Sequence, residues 1–223
     1  MLTIKFHFIR IFLFLISLNL SQVTRAQTNV ILHTSYGDIK IMLYKETVKH
    51  QQNFIKLLQQ GYYDGLLFHR VIPSFMIQTG DPNSRTARPG QALGNDGPSY
   101  TIPAEFNPLY YHKRGAVAAA RLSDDVNPGK ESSGSQFYIV QGTVYSDSQL
   151  NMLERTNRHL PFTPEQRNAY TILGGSPHLD NGYTVFGEVT EGHDIIDKIS
   201  AVVTDERKRP ISDIRIIKAY VVE

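Results

Sequence analysis

The 223-residue chain contains no cysteine and no tryptophan. The missing thiol excludes disulfides, thiolate metal sites, thiol nucleophiles and a lipidated cysteine. A chain of this length can bury enough apolar surface to fold without cross-links. Acid is absent from the first 26 residues, which carry Lys5, Arg10 and Arg25. Setting those three cations aside leaves 20 Lys and Arg against 21 Asp and Glu, so the remainder is nearly neutral. That balance predicts no nucleic acid and no anionic lipid as partner. Metal and hydrolase signatures are missing as well. The histidines after residue 26 are scattered with no HExxH pattern, no GxSxG occurs, and no glycine loop is followed by a phosphate-binding lysine. Neither metal nor cofactor is expected.

The segment from Ile11 to Leu20 is apolar but too short to span a bilayer comfortably as a helix. It follows the positive Lys5 and Arg10, and Thr24-Arg25-Ala26 places small residues where a signal peptidase reads. Residues 1–26 therefore read as an export signal cleaved before Gln27. The alternative is an uncleaved anchor. Residues 27–223 read as one exported domain, periplasmic or secreted, with no membrane attachment once the signal is removed.

Past that point the chain alternates short β-type runs with turn chemistry. Val30–Thr34 and Ile39–Tyr44 flank Tyr36-Gly37-Asp38 as a hairpin. Thr47 is placed to cap a helix running to about Gln60, with Phe54, Ile55, Leu57 and Leu58 inward. Leu66–Ile72, Phe75–Thr79, Gly115–Arg121, Ser135–Val140, Thr184–Val189 and Ile211–Val222 read as strands, and His193–Ile199 as a second helix. Residues 80–99, rich in Gly, Pro, Asn and Asp, read as a long surface loop. Strands in runs with two helices do not make a βαβ pattern. The expected class is mainly β: a closed eight-stranded antiparallel barrel with two capping helices. Residues 142–178 interrupt the pattern with two helical segments. Asp147 is the expected cap of the first, and Thr163-Pro164-Glu165-Gln166 is a capping box opening the second.

The most informative stretch is Phe68-His69-Arg70-Val71-Ile72-Pro73-Ser74-Phe75-Met76-Ile77-Gln78-Thr79-Gly80-Asp81. Arg70 and Gln78 share strand parity with Phe68, Ile72 and Met76, and Pro73-Ser74 bends the run. The stretch resembles the FHRxIPxFMxQxGD signature of the cyclophilins, peptidyl-prolyl cis-trans isomerases, at every position the signature specifies. The resemblance extends over about residues 29–222, interrupted by the 142–178 insertion. It implies the cyclophilin barrel, no cofactor, and Arg70 and Gln78 as catalytic residues. It also implies that Phe75 and Met76 floor a proline pocket.

Three further blocks carry the likeness. Gly115–Arg121 resembles the family's GxxxMAN strand, with Ala120 in the place of its alanine and Arg121 where an asparagine commonly offers its backbone to substrate. Ser133–Ile139 resembles NGSQFFI, so Gln136 is implied to line the groove, while Tyr138 replaces a pocket phenylalanine and brings a hydroxyl in need of a partner. His178–Val189 resembles LDxxxxVFGxV, which implies that Leu179 closes the pocket and puts Tyr183 where many members have histidine. His178 stands near the tryptophan that favours cyclosporin binding in the family.

The chemistry suits these residues. Rotation about an X–Pro bond crosses a barrier of ~18–20 kcal/mol without making or breaking a bond. Twisting makes the amide nitrogen pyramidal and basic, so a fixed cationic donor aimed at it stabilises the transition state selectively. Arginine is such a donor. The expectation is a monomeric, exported prolyl isomerase acting on unfolded or partly folded proline-containing polypeptides. The rival is a peptide-binding or chaperone module on the same barrel with little turnover, favoured by the departures at Arg121 and Tyr138.

Overall fold

The computed structural model describes residues 27–156 and 161–222. The expected export signal, residues 1–26, lies outside the described residues, as do residues 157–160 of the insertion. The elements in chain order are β1 (Thr28–Thr34), β2 (Gly37–Leu43), α1 (Val48–Gln59), β3 (Arg70–Ile72), β4 (Met76–Thr79), β5 (Thr101–Ile102), β6 (Ala116–Ala119), β7 (Ser132–Ser133), β8 (Phe137–Val140), α2 (Asp147–Thr156), α3 (Pro164–Ile172), β9 (Val185–Glu191), α4 (His193–Ser200) and β10 (Ile216–Val222).

Eight of the strands form one antiparallel sheet in the order β10-β1-β2-β9-β6-β8-β4-β3, while β5 and β7 pair separately. Period-2 burial sets the inner face: Val30 and Leu32 on β1 and Ile39 and Ile41 on β2 are fully buried. Register shifts at His33/Thr34, Lys40/Ile41 and Val117/Ala118 bend the ladders and curl the sheet. The inner face packs against α1 and α4, which bury Phe54, Leu57, Leu58 and Ile195, Ile196, Ile199. The opposite face of β4, β6 and β8 buries Met76, Ala116, Ala118, Tyr138 and Val140 in a second, smaller cluster beneath the site.

The expected closed barrel is corrected to a curled half-barrel. Between β3 and β10 the ladder is replaced by one isolated bridge, Leu67–Arg215, and by bonds from Phe68 N to Ile214 O and from Ile216 N to Leu66 O. The physical reason is local. β3 has only three residues before the turn at Pro73, and Val71 N donates to Lys208 O in an irregular segment rather than to a strand. The expected strands Leu66–Ile72 and Ile211–Val222 shorten accordingly. Phe68 is buried in the main core, so it does not share a face with Arg70.

Thr47 does not cap α1. Its hydroxyl donates to Tyr44 O, and the helix start is held from a distance by Glu105, whose carboxylate accepts from Lys49 N, His50 N and His50 Nδ1 at 3.0, 3.0 and 2.6 Å. His50 Nε2 then takes Ser132 Oγ at 2.9 Å. In the insertion, Thr163 and Gln166 form the expected capping box, whereas α2 starts at Asp147 and Ser146 takes the capping place, its Oγ accepting from Gln149 N.

Burial pushes the Glu105 carboxyl up, but the two backbone N–H groups and the His50 ring outweigh it and hold it below the usual range. Burial lowers His50 against the pull of Glu105. Both shifts mean that the unfolded chain binds more protons, so both contributions are lost on acidification: the His50 part as pH falls below the ordinary imidazole range, the Glu105 part as it falls through the lowered carboxylate value. Glu105→Gln is expected to cost ~1–2 kcal/mol near neutral pH. In denaturant titrations from neutral pH down to about pH 3, the gap between variant and parent should narrow. A gap that stays constant would show that the charge on Glu105 does not hold the helix.

Candidate active site

β3 and β4 pair so that Arg70 lies directly opposite Gln78, and Ile72 opposite Met76. β8 pairs on the other side of β4, setting Gln78 opposite Tyr138. Ala118 of β6 in turn faces Tyr138. Small side chains along β6 leave room above the sheet, and a cavity of about 260 Å³ opens there. Arg70, Phe75, Met76, Gln78, Ala120, Arg121, Tyr138, Leu179 and Tyr183 all line it. Gln136 lies in the adjoining groove, which shares Gln78, Gly94, Ala120 and Arg121 with the cavity. The ten sequence-predicted residues are thus brought into one continuous depression.

The polar side is a directed hydrogen-bond chain. Gln136 Nε2 donates to Gly94 O at 3.0 Å and to Asp96 O at 2.8 Å. Two carbonyl partners identify that atom as the amide nitrogen, so Gln136 Oε1 must accept, and it does so from Gln78 Nε2 at 3.1 Å. Gln78 Oε1 is left to accept from Arg70 Nη1 at 3.2 Å. One donor of the guanidinium fork is therefore fixed, and the rest have no protein partner among the described residues. The Arg70 charge also has no ion pair there.

The apolar side comes from Phe75, Met76, Leu179 and the rings of Tyr138 and Tyr183. Met76 and Tyr138 are almost fully buried, whereas Phe75, Leu179 and Tyr183 are half-buried and reachable. The Phe75 and His178 rings lie 5.5 Å apart and tilted.

Both departures from the family pattern are absorbed by neighbours. The Arg121 side chain is only 6% exposed. Its guanidinium sits 4.6 Å over the Tyr183 ring, donates to Gly182 O and Leu122 O at 2.7 and 2.8 Å, and pairs with Asp124 at 2.6 Å. The Tyr138 hydroxyl lies 3.0 Å from Nε2 of the buried His112, so the ring faces the cavity and the polar tip does not.

The motif also left some lining residues unread. Leu93, Gly94 and Arg207 come from irregular segments with no periodic signal. His69 lies within the signature, yet nothing in its spacing showed that it lines the cavity. Burial lowers it to about 4 against the upward pull of the Asp81 carboxylate, with smaller downward pushes from the Arg70 and Arg209 charges. Its ring is therefore neutral at physiological pH.

Comparison with known proteins agrees with this geometry. Residues 29–221 match the family described as cyclophilin type peptidyl-prolyl cis-trans isomerase/CLD. The chain belongs to the cyclophilin-type peptidyl-prolyl cis-trans isomerases. A putative peptidyl-prolyl cis-trans isomerase of Staphylococcus saprophyticus is 32% identical over 204 residues, covering 91% of this chain and 96% of that protein. A putative bifunctional phosphatase/peptidyl-prolyl cis-trans isomerase of Streptococcus pyogenes is 36% identical over 188 residues, and the match spans 37% of its length. Among solved structures, the cyclophilin type peptidyl-prolyl cis-trans isomerase of Cryptosporidium parvum superposes with a TM-score of 0.63 at 23% identity, covering 89% of this chain and 99% of that one. That last likeness concerns the fold.

The resemblance sets His178 near the family's cyclosporin-binding tryptophan. Histidine there offers neither the indole N–H nor the broad apolar wall of tryptophan, and a lost hydrogen-bonding group costs ~1–3 kcal/mol. Cyclosporin is expected to inhibit weakly, and His178→Trp, set against Phe75, to tighten inhibition about ten-fold in a titration of activity. Strong inhibition of the unaltered chain would show that His178 is not the counterpart of that tryptophan.

Proposed function

We propose that this prolyl isomerase is exported, is released from its signal before Gln27, and acts as a monomer on unfolded or partly folded polypeptides in the periplasm or outside the cell. The cavity takes the proline ring against Phe75, Met76, Leu179 and Tyr138. The peptide continues along the adjoining groove past Gln136 and the backbone near Ala120 and Arg121. Arg70 holds the donor for the twisted amide nitrogen, and Gln78 orients it. A preorganised donor costs no reorganisation when the amide twists, so its benefit falls on the transition state.

The observation that carries this reading is the directed chain ending at Arg70. It spends one guanidinium donor on fixing the group and leaves the others for substrate. The rival reading, a peptide-binding module with little turnover, drew on Arg121 and Tyr138. It loses that support, because Arg121 is folded onto Tyr183 and the Tyr138 hydroxyl is bonded to His112. Export rests on the sequence of residues 1–26 alone. Edman degradation of protein recovered from a bacterial host's periplasm is expected to begin at Gln27. A chain still carrying Met1, or one retained in the cytoplasm, would overturn that part.

Arg70→Ala is expected to lower turnover of a short X–Pro peptide by more than about ten-fold in a protease-coupled assay, with thermal stability preserved. Equal turnover would sink the mechanism. An arginine guanidinium does not titrate in proteins, and the lining His69 is already neutral well below neutrality, so turnover should stay nearly flat from about pH 6 to 9. A bell-shaped profile in that window would point to general acid–base chemistry instead.

A further inference from the structure

The insertion is tied to the proline pocket by a buried chain of polar groups. Tyr170 on α3 is fully buried, and its O–H donates to Asp180 Oδ2 at 2.6 Å. The other carboxylate oxygen accepts from the His112 backbone N–H and from His112 Nδ1, both at 2.8 Å. A carboxylate is acceptor-only, so Nδ1 carries a proton, and in that neutral tautomer Nε2 accepts the Tyr138 O–H at 3.0 Å. Burial holds both phenols well above their ordinary range, so each keeps the proton it donates. Every link is buried. The backbone reinforces the chain. Tyr145 N donates to Tyr170 O, and Ser176 N to His112 O. At Gly175 a side chain would meet His112 O at 2.3 Å and the Tyr170 ring at 2.6 Å.

The lobe otherwise has a small core of its own, in which Leu150, Phe162 and Tyr170 pack with Tyr111, Tyr145 and Leu153. Leu150, Phe162 and Tyr170 are buried in it, whereas Val144, Met152, Ile172 and Leu173 stay exposed. The tip of Tyr170 leaves this core to bond Asp180.

We propose that the inserted lobe is a positioning device for the proline pocket: Tyr170, through Asp180 and His112, sets the place of the Tyr138 ring and thereby the pocket's affinity for proline. None of the three touches substrate, so they are positioning residues. A buried polar network missing one member leaves the next without its partner, and the cheapest relief is for the neighbour to shift. The shift is passed along the chain to a ring that forms a wall of the cavity. This inference rests on the cavity being the X–Pro site.

A double-mutant cycle tests it. Wild type, Tyr170→Phe, Tyr138→Phe and the double variant are each titrated with one X–Pro peptide by NMR, and Kd and melting temperature are recorded. In the parent, Tyr170→Phe is expected to weaken peptide binding about three- to ten-fold. With Phe at 138 there is no hydroxyl to hold, and the same change should alter Kd by less than about two-fold. An equal factor in both backgrounds, or no factor in either, overturns the proposal, since a purely structural role would lower stability without regard to residue 138. If Tyr170→Phe does not fold, Asp180→Asn replaces it in the cycle with the same two expectations. Kd does not depend on turnover, so a wild type that binds the peptide but never isomerises it would fail the functional reading while leaving the cycle decisive.

Discussion

The register between β4 and β8 is the constraint on which the site depends. It sets Gln78 against Tyr138, and the β3–β4 pairing carries Arg70 to the same face. A slip of one residue would turn Gln78 and Met76 into the core and bring Ile77 to the cavity. Close approach just past the strand ends keeps the register. At Gly80 a side-chain carbon would lie 2.3 Å from Ser135 O and 2.7 Å from Gln136 Cα, so the two backbones meet there at one possible offset. Ser135 Oγ donates to Gly80 O across the same contact at 2.8 Å. The geometry of the site is thus specified by backbone contact some distance from Arg70, and the side chains inherit it.

Much of this could be read in the sequence because strand parity and turn chemistry are local. Arg70 and Gln78 share parity, Pro73-Ser74 marks the hairpin, and the alternation at Val30, Leu32, Ile39 and Ile41 shows the buried face. The capping box at Thr163 is likewise a four-residue pattern. What escaped was determined by distance. Glu105 caps a helix that begins more than fifty residues earlier, and no spacing rule pairs them. His112 and Asp180 sit in irregular segments, so neither looks different from a solvated polar residue until the chain is folded. The incomplete closure between β3 and β10 escaped for a related reason. Residues such as Leu66, Phe68 and Ile214 are apolar and buried, yet they meet through single bridges that hydropathy does not distinguish from a ladder.

The two substitutions against the family pattern illustrate how a binding surface tolerates change. Each introduces a polar group at a wall that would otherwise be apolar or neutral. Each is neutralised by a partner that sequence order does not reveal: an aromatic face and an aspartate for Arg121, an imidazole for Tyr138. The surface offered to a peptide is closer to the family's than the residue names suggest.

The insertion leaves and re-enters the domain at almost one point. Thr143 and Gly175 exchange backbone hydrogen bonds at 3.1 and 2.9 Å, and a side-chain carbon at Gly142 would lie 2.4 Å from Gly175 Cα. For a folding chain this stem is a short circuit. Once it zips, the effective contour between β8 and β9 shrinks to about a dozen residues, and the closure entropy of their long-range pairing with the rest of the sheet no longer grows with the length of the inserted helices. The lobe lengthens the polypeptide while adding little to the search that assembles the sheet.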